Sequence, residues 1–238
     1  MHDRFLKLVR GALALGALVS GLAGAQTLLG PTPYLSQADS PFAAAITGGT
    51  VLLETFEDGL LNVPNVTASA GAPIGPSSNT DSVDADDGAI DGSGLAGRSF
   101  FSGSGAAGIT FTFNPMAPGG LPTQVGVVWT DGAGTTLFEA FGPGGVSLGV
   151  IGPVSIADAS FNGETAEDRF FGVTNAAGVS SIRISNSIGG LEVDHLQFGR
   201  AAAPPLPVAA DIPVLGPFGL LAMGLLLGGA ALVRLRRR

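Results

Sequence analysis

Residues 109–114 read ITFTFN. Ile109, Phe111 and Phe113 alternate with Thr110, Thr112 and Asn114, and a period of two marks a strand with one apolar and one wet face. The same alternation recurs at 182–185, where Ile182 and Ile184 take turns with Arg183 and Ser185. Outward from these two stretches, similar runs predict strands over 50–56, 99–101, 108–113, 124–130, 135–141, 147–151, 168–173, 180–186 and 191–198. Asp131-Gly132-Ala133-Gly134 and Pro143-Gly144-Gly145 read as hairpin connections. No helical periodicity and no internal repeat interrupts the series. About nine short strands in roughly 150 residues predict an all-β sandwich or barrel.

Composition agrees. The chain has 238 residues with 38 glycines, 16 prolines and no cysteine, so disulfides, thiolate metal sites and cysteine nucleophiles are excluded. Charge is unevenly spread. Eighteen of the nineteen acidic residues lie within 26–211, against only Arg98, Arg169, Arg183 and Arg200, so this body carries a formal charge near −14. Such a surface repels phosphate backbones, which excludes nucleic acid as a partner. It favours cations or neutral polymers.

Both ends read as addresses. Residues 1–10 are basic and 11–23 apolar, and Ala23-Gly24-Ala25 before Gln26 is a small-x-small cleavage signal, which together describe a secretory signal peptide over 1–25. Residues 214–233 carry no charge. As a helix this run spans about 30 Å, the thickness of a bilayer's hydrocarbon core. Arg234, Arg236, Arg237 and Arg238 then hold the tail in the cytoplasm, with the body outside. The remaining divisions are an N-terminal segment at 26–49, a β-sandwich domain at 50–200, a Pro/Ala linker at 201–211 and the C-terminal signal at 212–238.

A proline-containing motif, an apolar helix and a terminal arginine cluster resemble the PEP-CTERM group of bacterial sorting signals. IPVLGPFG at 212–219 is similar to the IPTL-CTERM subtype, with Ile212, Pro213, Leu215 and Gly219 in place, Val214 instead of Thr and Phe218 instead of Trp. That resemblance implies a Gram-negative host and processing by signal peptidase and an exosortase-type transpeptidase. The precursor would be anchored in the inner membrane with its body in the periplasm, and later reach the cell surface or the extracellular space. The body, from VLLETFEDG at 51–59 to GLEVDHLQFG at 190–199, resembles the jelly-roll-like (galactose-binding-like) sandwich common in such proteins. A structural protein associated with exopolysaccharide, with no catalysis of its own, is the implied function.

Two acidic groupings are candidate calcium sites. Asp81, Asp84, Asp86, Asp87 and Asp91 fall within eleven residues of a glycine-punctuated stretch that could supply several oxygens, although the EF-hand spacing fails. By resemblance to calcium-stabilised jelly-roll carbohydrate-binding modules, Glu54, Glu57 and Asp194 form the second, with Glu192 on the strand face of Asp194. Arg183 is an alternative counter-charge there. The alternative function is therefore a calcium-stabilised carbohydrate-binding module, with Trp129 at a strand end as a ring on which sugar could stack, or as a core residue. An extracellular hydrolase is a third reading, since paired carboxylates leave no sequence spacing to test. A Ser–His–Asp triad would need His195, the body's single histidine, yet strict alternation puts Asp194 on the opposite face.

Overall fold

The computed structural model describes residues 26–85, 97–117, 119–158, 160 and 167–200. Two long strands organise them, β7 (Gln124–Phe141) and β10 (Ser181–Gly199), paired antiparallel from Gln124↔Gly199 to Phe141↔Ser181. Eight shorter strands complete the described sheet. They are β1 (Thr27–Pro33), β2 (Val51–Glu54), β3 (Val66–Ala68), β4 (Ala72–Ile74), β5 (Ser99–Ser102), β6 (Ile109–Phe113), β8 (Ser147–Val154) and β9 (Arg169–Thr174). Every pairing is antiparallel. Among the described residues the one α-helix is α1 (Ala43–Thr47). The protein is all-β.

The long strands carry different neighbours along their length. The first half of β7 pairs with β9, which continues to β1, while the facing half of β10 pairs with β2. The second half of β7 pairs with β8, and the facing half of β10 with β6 and then β3. Between them, Leu191–Val193 of β10 pairs with β5, which leads to β4.

Both halves feed one core. Val125, Val127 and Trp129 from one half of β7 share it with Phe138 and Ala140 from the other. Phe138 stacks on Phe171 of β9 at 5.8 Å, and Phe113 of β6 meets Phe198 at 5.0 Å. The sheet therefore curls over itself, so that rings from opposite halves touch.

The expected hairpin at Asp131-Gly132-Ala133-Gly134 is replaced by a bend within β7. Asp131 pairs with Glu192, Gly132 with Leu191 and Ala133 with Ile188, with register shifts on both sides of Ile188. The predicted strands at 124–130 and 135–141 are two halves of one, as are those at 180–186 and 191–198. Asn186 holds the bend. Its Oδ1 accepts from Trp129 Nε1 (3.0 Å) and Thr136 Oγ1 (3.1 Å), and its Nδ2 donates to Gly190 O (2.9 Å). A Cβ on Gly132 would lie 1.7 Å from that Nδ2. The glycine thus serves close approach within a strand, which in sequence looks the same as turn chemistry. Pro143–Gly145 does connect β7 to β8, as expected.

Strands β1, β3 and β4 have no counterpart among the predicted ones. Glycine and proline split β1 at residues 30–31, where its register with β9 shifts, and three-residue strands are too short to show a period. Among the described residues no helix is long and apolar enough to cross a membrane. The predicted signal helix and the helix at 214–233 lie outside the described residues.

Candidate functional site

The inner face of β10 presents Leu191, Val193, Leu196 and Phe198 to the core. Its outer face carries Glu192, Asp194, His195 and Gln197, all at 2% exposure or less. Two segments cover them. One, residues 34–47, brings Tyr34 and Phe42, which pack with Val51, Val83, Val128 and Phe170 as a second apolar cluster. The other, residues 80–85, brings the start of the acidic stretch.

Polar groups buried this way need partners, and the cover segments supply them. Asp194 Oδ2 accepts from Val83 N (3.0 Å) and Ser82 Oγ (3.4 Å), and Oδ1 from His195 N (2.6 Å). Ser82 Oγ also reaches Glu57 Oε1 (3.2 Å), which accepts from Arg98 N (2.6 Å). Burial holds the Asp194 carboxyl well above the usual carboxylate range, with the nearby Asp84 and Glu57 charges adding to it.

His195 lies on the same side as Asp194, contrary to strict alternation. A register shift between Asp194 and Gln197, with His195 at φ 44°, marks a β-bulge that turns both side chains outward. His195 Nε2 is 3.1 Å from Asp84 Oδ1, and Nδ1 is 2.9 Å from Tyr34 Oη. Gln197 Nε2 donates to Tyr34 Oη (3.0 Å), and Gln197 Oε1 accepts from Ser40 Oγ (2.5 Å). With Gln197 donating to the phenol oxygen, Tyr34 Oη and Nδ1 share one hydrogen bond, and Nε2 faces Asp84. Burial raises the Tyr34 pKa above its ordinary value, which keeps the phenol protonated. The chain Ser40–Gln197–Tyr34–His195–Asp84 is a continuous line of hydrogen bonds. Among the described residues no nucleophile with an open approach stands beside this histidine, which is 1% exposed.

A second carboxylate group adjoins the first. Glu192 Oε1 accepts from Asp81 N (2.8 Å) and from Ser99 Oγ. Burial lifts Glu192 to about 7, Ser99 and the Asp81 amide oppose this, and Asp131 adds to it. Glu167 Oε2 accepts from Asp158 N (2.8 Å), and burial, reinforced by Asp158 and Asp131, raises Glu167 to about 8. Glu167 also shares a hydrogen bond with the Asp131 carboxyl, which requires a proton on one of the two.

The sequence candidates divide accordingly. Glu57, Asp81, Asp84 and Asp194, with Glu192, meet along this acidic seam. Glu54 stands apart: Oε1 accepts from Phe56 N (3.1 Å) and Oε2 from Asn62 N and Val63 N, so it organises its own loop. Arg183 is also elsewhere, donating to the carbonyls of Ala106 and Ala107, and supplies no counter-charge to the seam. Trp129 is fully buried and presents no ring to a sugar, which corrects the stacking role considered for it. Asp86, Asp87 and Asp91 lie outside the described residues, as do Ala23, Ala25 and everything from 201 onward. Gln26 is described, exposed just before β1.

Among the described residues no group of three or more His, Asp or Glu is arranged to hold a metal ion. The close-set oxygens of Asp194 and Glu57 accept from N–H and O–H groups instead, a donor set that does not call for a cation. Tyr34, Ser40, Ser99, Asp131, Glu167 and Gln197 had no sequence signal. Only Tyr34, the single tyrosine, could have attracted notice. No family model matches the chain, and no curated protein matches it in sequence.

Proposed function

We propose that this chain is an exported protein of a bacterial surface or exopolysaccharide matrix, with a structural rather than catalytic role. It is sorted through its C-terminal segment by signal peptidase and an exosortase-type transpeptidase, and its body is a jelly-roll-like (galactose-binding-like) sandwich. The observation that carries this reading is the use of acids as internal fastening. Glu192 and Asp194 receive hydrogen bonds from residues about 110 positions away, and the one body histidine is engaged at both nitrogens. In sequence, that body is followed by Ile212-Pro213, an uncharged run and four arginines. The test is the intact mass of the protein recovered from its native host. Loss of residues 1–25 and of about 27 C-terminal residues is expected, and a retained tail overturns the sorting reading.

The second reading, a calcium-stabilised carbohydrate-binding module, is favoured by an open cavity next to Glu192. Calcium in this reading belongs to the 81–91 stretch, where Asp86, Asp87 and Asp91 add carboxylates to Asp81 and Asp84. Melting the full chain in calcium and in chelator tests it: a shift supports the cation, and coincident curves reject it.

A further inference from the structure

Phe101, Glu192 and Asp131 are registered partners on three neighbouring strands, β5, β10 and β7. Directly paired residues point to one face of a sheet, so these three side chains form a row across it. Two strand spacings, roughly 9.5 Å, separate the ends of the row. The row lines a cavity of about 290 Å³ completed by Ser160, with Gly132 and Gly190 among its walls.

Each member brings different chemistry. Phe101 is 36% exposed, although its β5 neighbours Phe100 and Ser102 are buried. Its ring rests on Gly190, where a Cβ would come within 2.7 Å of Cε2 and 2.8 Å of Cζ. Any side chain at 190 would lift the ring, so the glycine presets its position. Glu192, a lining residue, is buried and pinned through Oε1 by Ser99 and the Asp81 amide, which fixes its carboxyl. Asp131 flanks it from β7, and the Ser160 hydroxyl stands at the rim. The described residues lining the cavity include no lysine or arginine.

We propose that this cavity binds one neutral hexopyranose unit of a polysaccharide, with its C–H face against the Phe101 ring and its hydroxyls on Glu192, Asp131 and Ser160. A flat apolar ring beside fixed hydrogen-bonding oxygens matches the two faces of a pyranose. The volume lies at the small end of ligand pockets and suits a single sugar. Uronic acids and phosphosugars are disfavoured, because the described lining offers carboxylates and no cationic side chain. The elevated pKa of Glu192 lets it donate as well as accept near neutral pH. The choice of a polysaccharide rests on the extracellular reading above, whereas the cavity's chemistry does not.

The experiment applies the full chain, in detergent, to an array of tetrasaccharides of glucose, galactose and mannose, with uronate tetramers alongside. Binding to at least one neutral series and none to the uronates is expected. Phe101→Ala should weaken that binding at least tenfold, and Phe101→Trp should retain it, both with melting temperatures near wild type. A wild-type array blank for neutral sugars overturns the proposal, and so does equal binding by Phe101→Ala. Release of new reducing ends would make the site catalytic and overturn the assignment as a binding site. None of these outcomes touches the mass measurement that tests export.

Discussion

The two halves of β10 share one inner face and differ on the outer one, although Ser185 of the first half is also buried. From Ser181 to Asn186, Ile182 and Ile184 face the core while Arg183 reaches over the surface to backbone carbonyls. From Leu191 to Phe198 the inner residues are again apolar, but the outer Glu192, Asp194, His195 and Gln197 are as buried as the core. A polar residue opposite an apolar one therefore does not identify a wet face. What decides is whether another segment of chain lies over it, and here residues 34–47 and 80–85 do.

The sharpest way to break this comparison is through the core that both halves share. Trp129→Ala should cost about 3–5 kcal/mol, read by urea denaturation, since it empties a large site and strips Asn186 of a donor at the bend. Loss of the covered half alone, with the other intact, would show that the halves are not one cooperative unit.

The next largest effect is with pH, and it belongs to the covered half. Glu192 and Glu167 are raised to about 7 and about 8, and Asp194 is raised as well. Raised carboxyls bind protons more tightly in the folded state, so their stabilisation is full below about pH 4 and is lost as pH rises through 7 to 8. Stability should therefore decline from mildly acidic toward alkaline pH, on the order of 3 kcal/mol for Glu192 alone. Glu192→Gln should flatten that slope in denaturation curves taken at several pH values. An unchanged slope would mean the carboxyl is not desolvated.

Tyr34→Phe should cost about 1–3 kcal/mol, because it leaves Gln197 Nε2 and His195 Nδ1 facing a missing hydroxyl. Arg183→Ala, on the uncovered half, should stay within about 0.5 kcal/mol in the same assay. If the two matched, the contrast between covered and uncovered faces would fail.

The inner face was legible in the sequence because burial against a single core leaves a period of two, as at 109–113 and 182–184. The acidic seam was half legible. Asp81, Asp84, Glu57 and Asp194 stand out in sequence by their charge, but covering segments come from long range and leave no local pattern that marks Tyr34, Ser40 or Gln197. The His195 bulge was hidden for another reason: one extra residue changes the face without changing composition. The bend at 131–134 misled because glycine beside Asp signals a turn whether or not the chain reverses. The sequence offers Trp129 for an exposed stacking role, whereas Phe101, at 36% exposure, has the position to fill it.

The line from Ser40 through Gln197 and Tyr34 to His195 joins residues 157 to 163 positions apart. A ribosome delivers Tyr34 long before β10 exists, so the first segment made has nothing to fasten to until nearly the last strand arrives. Contacts this distant in sequence slow closure of the fold. Closure of this line therefore waits until β10 has been made.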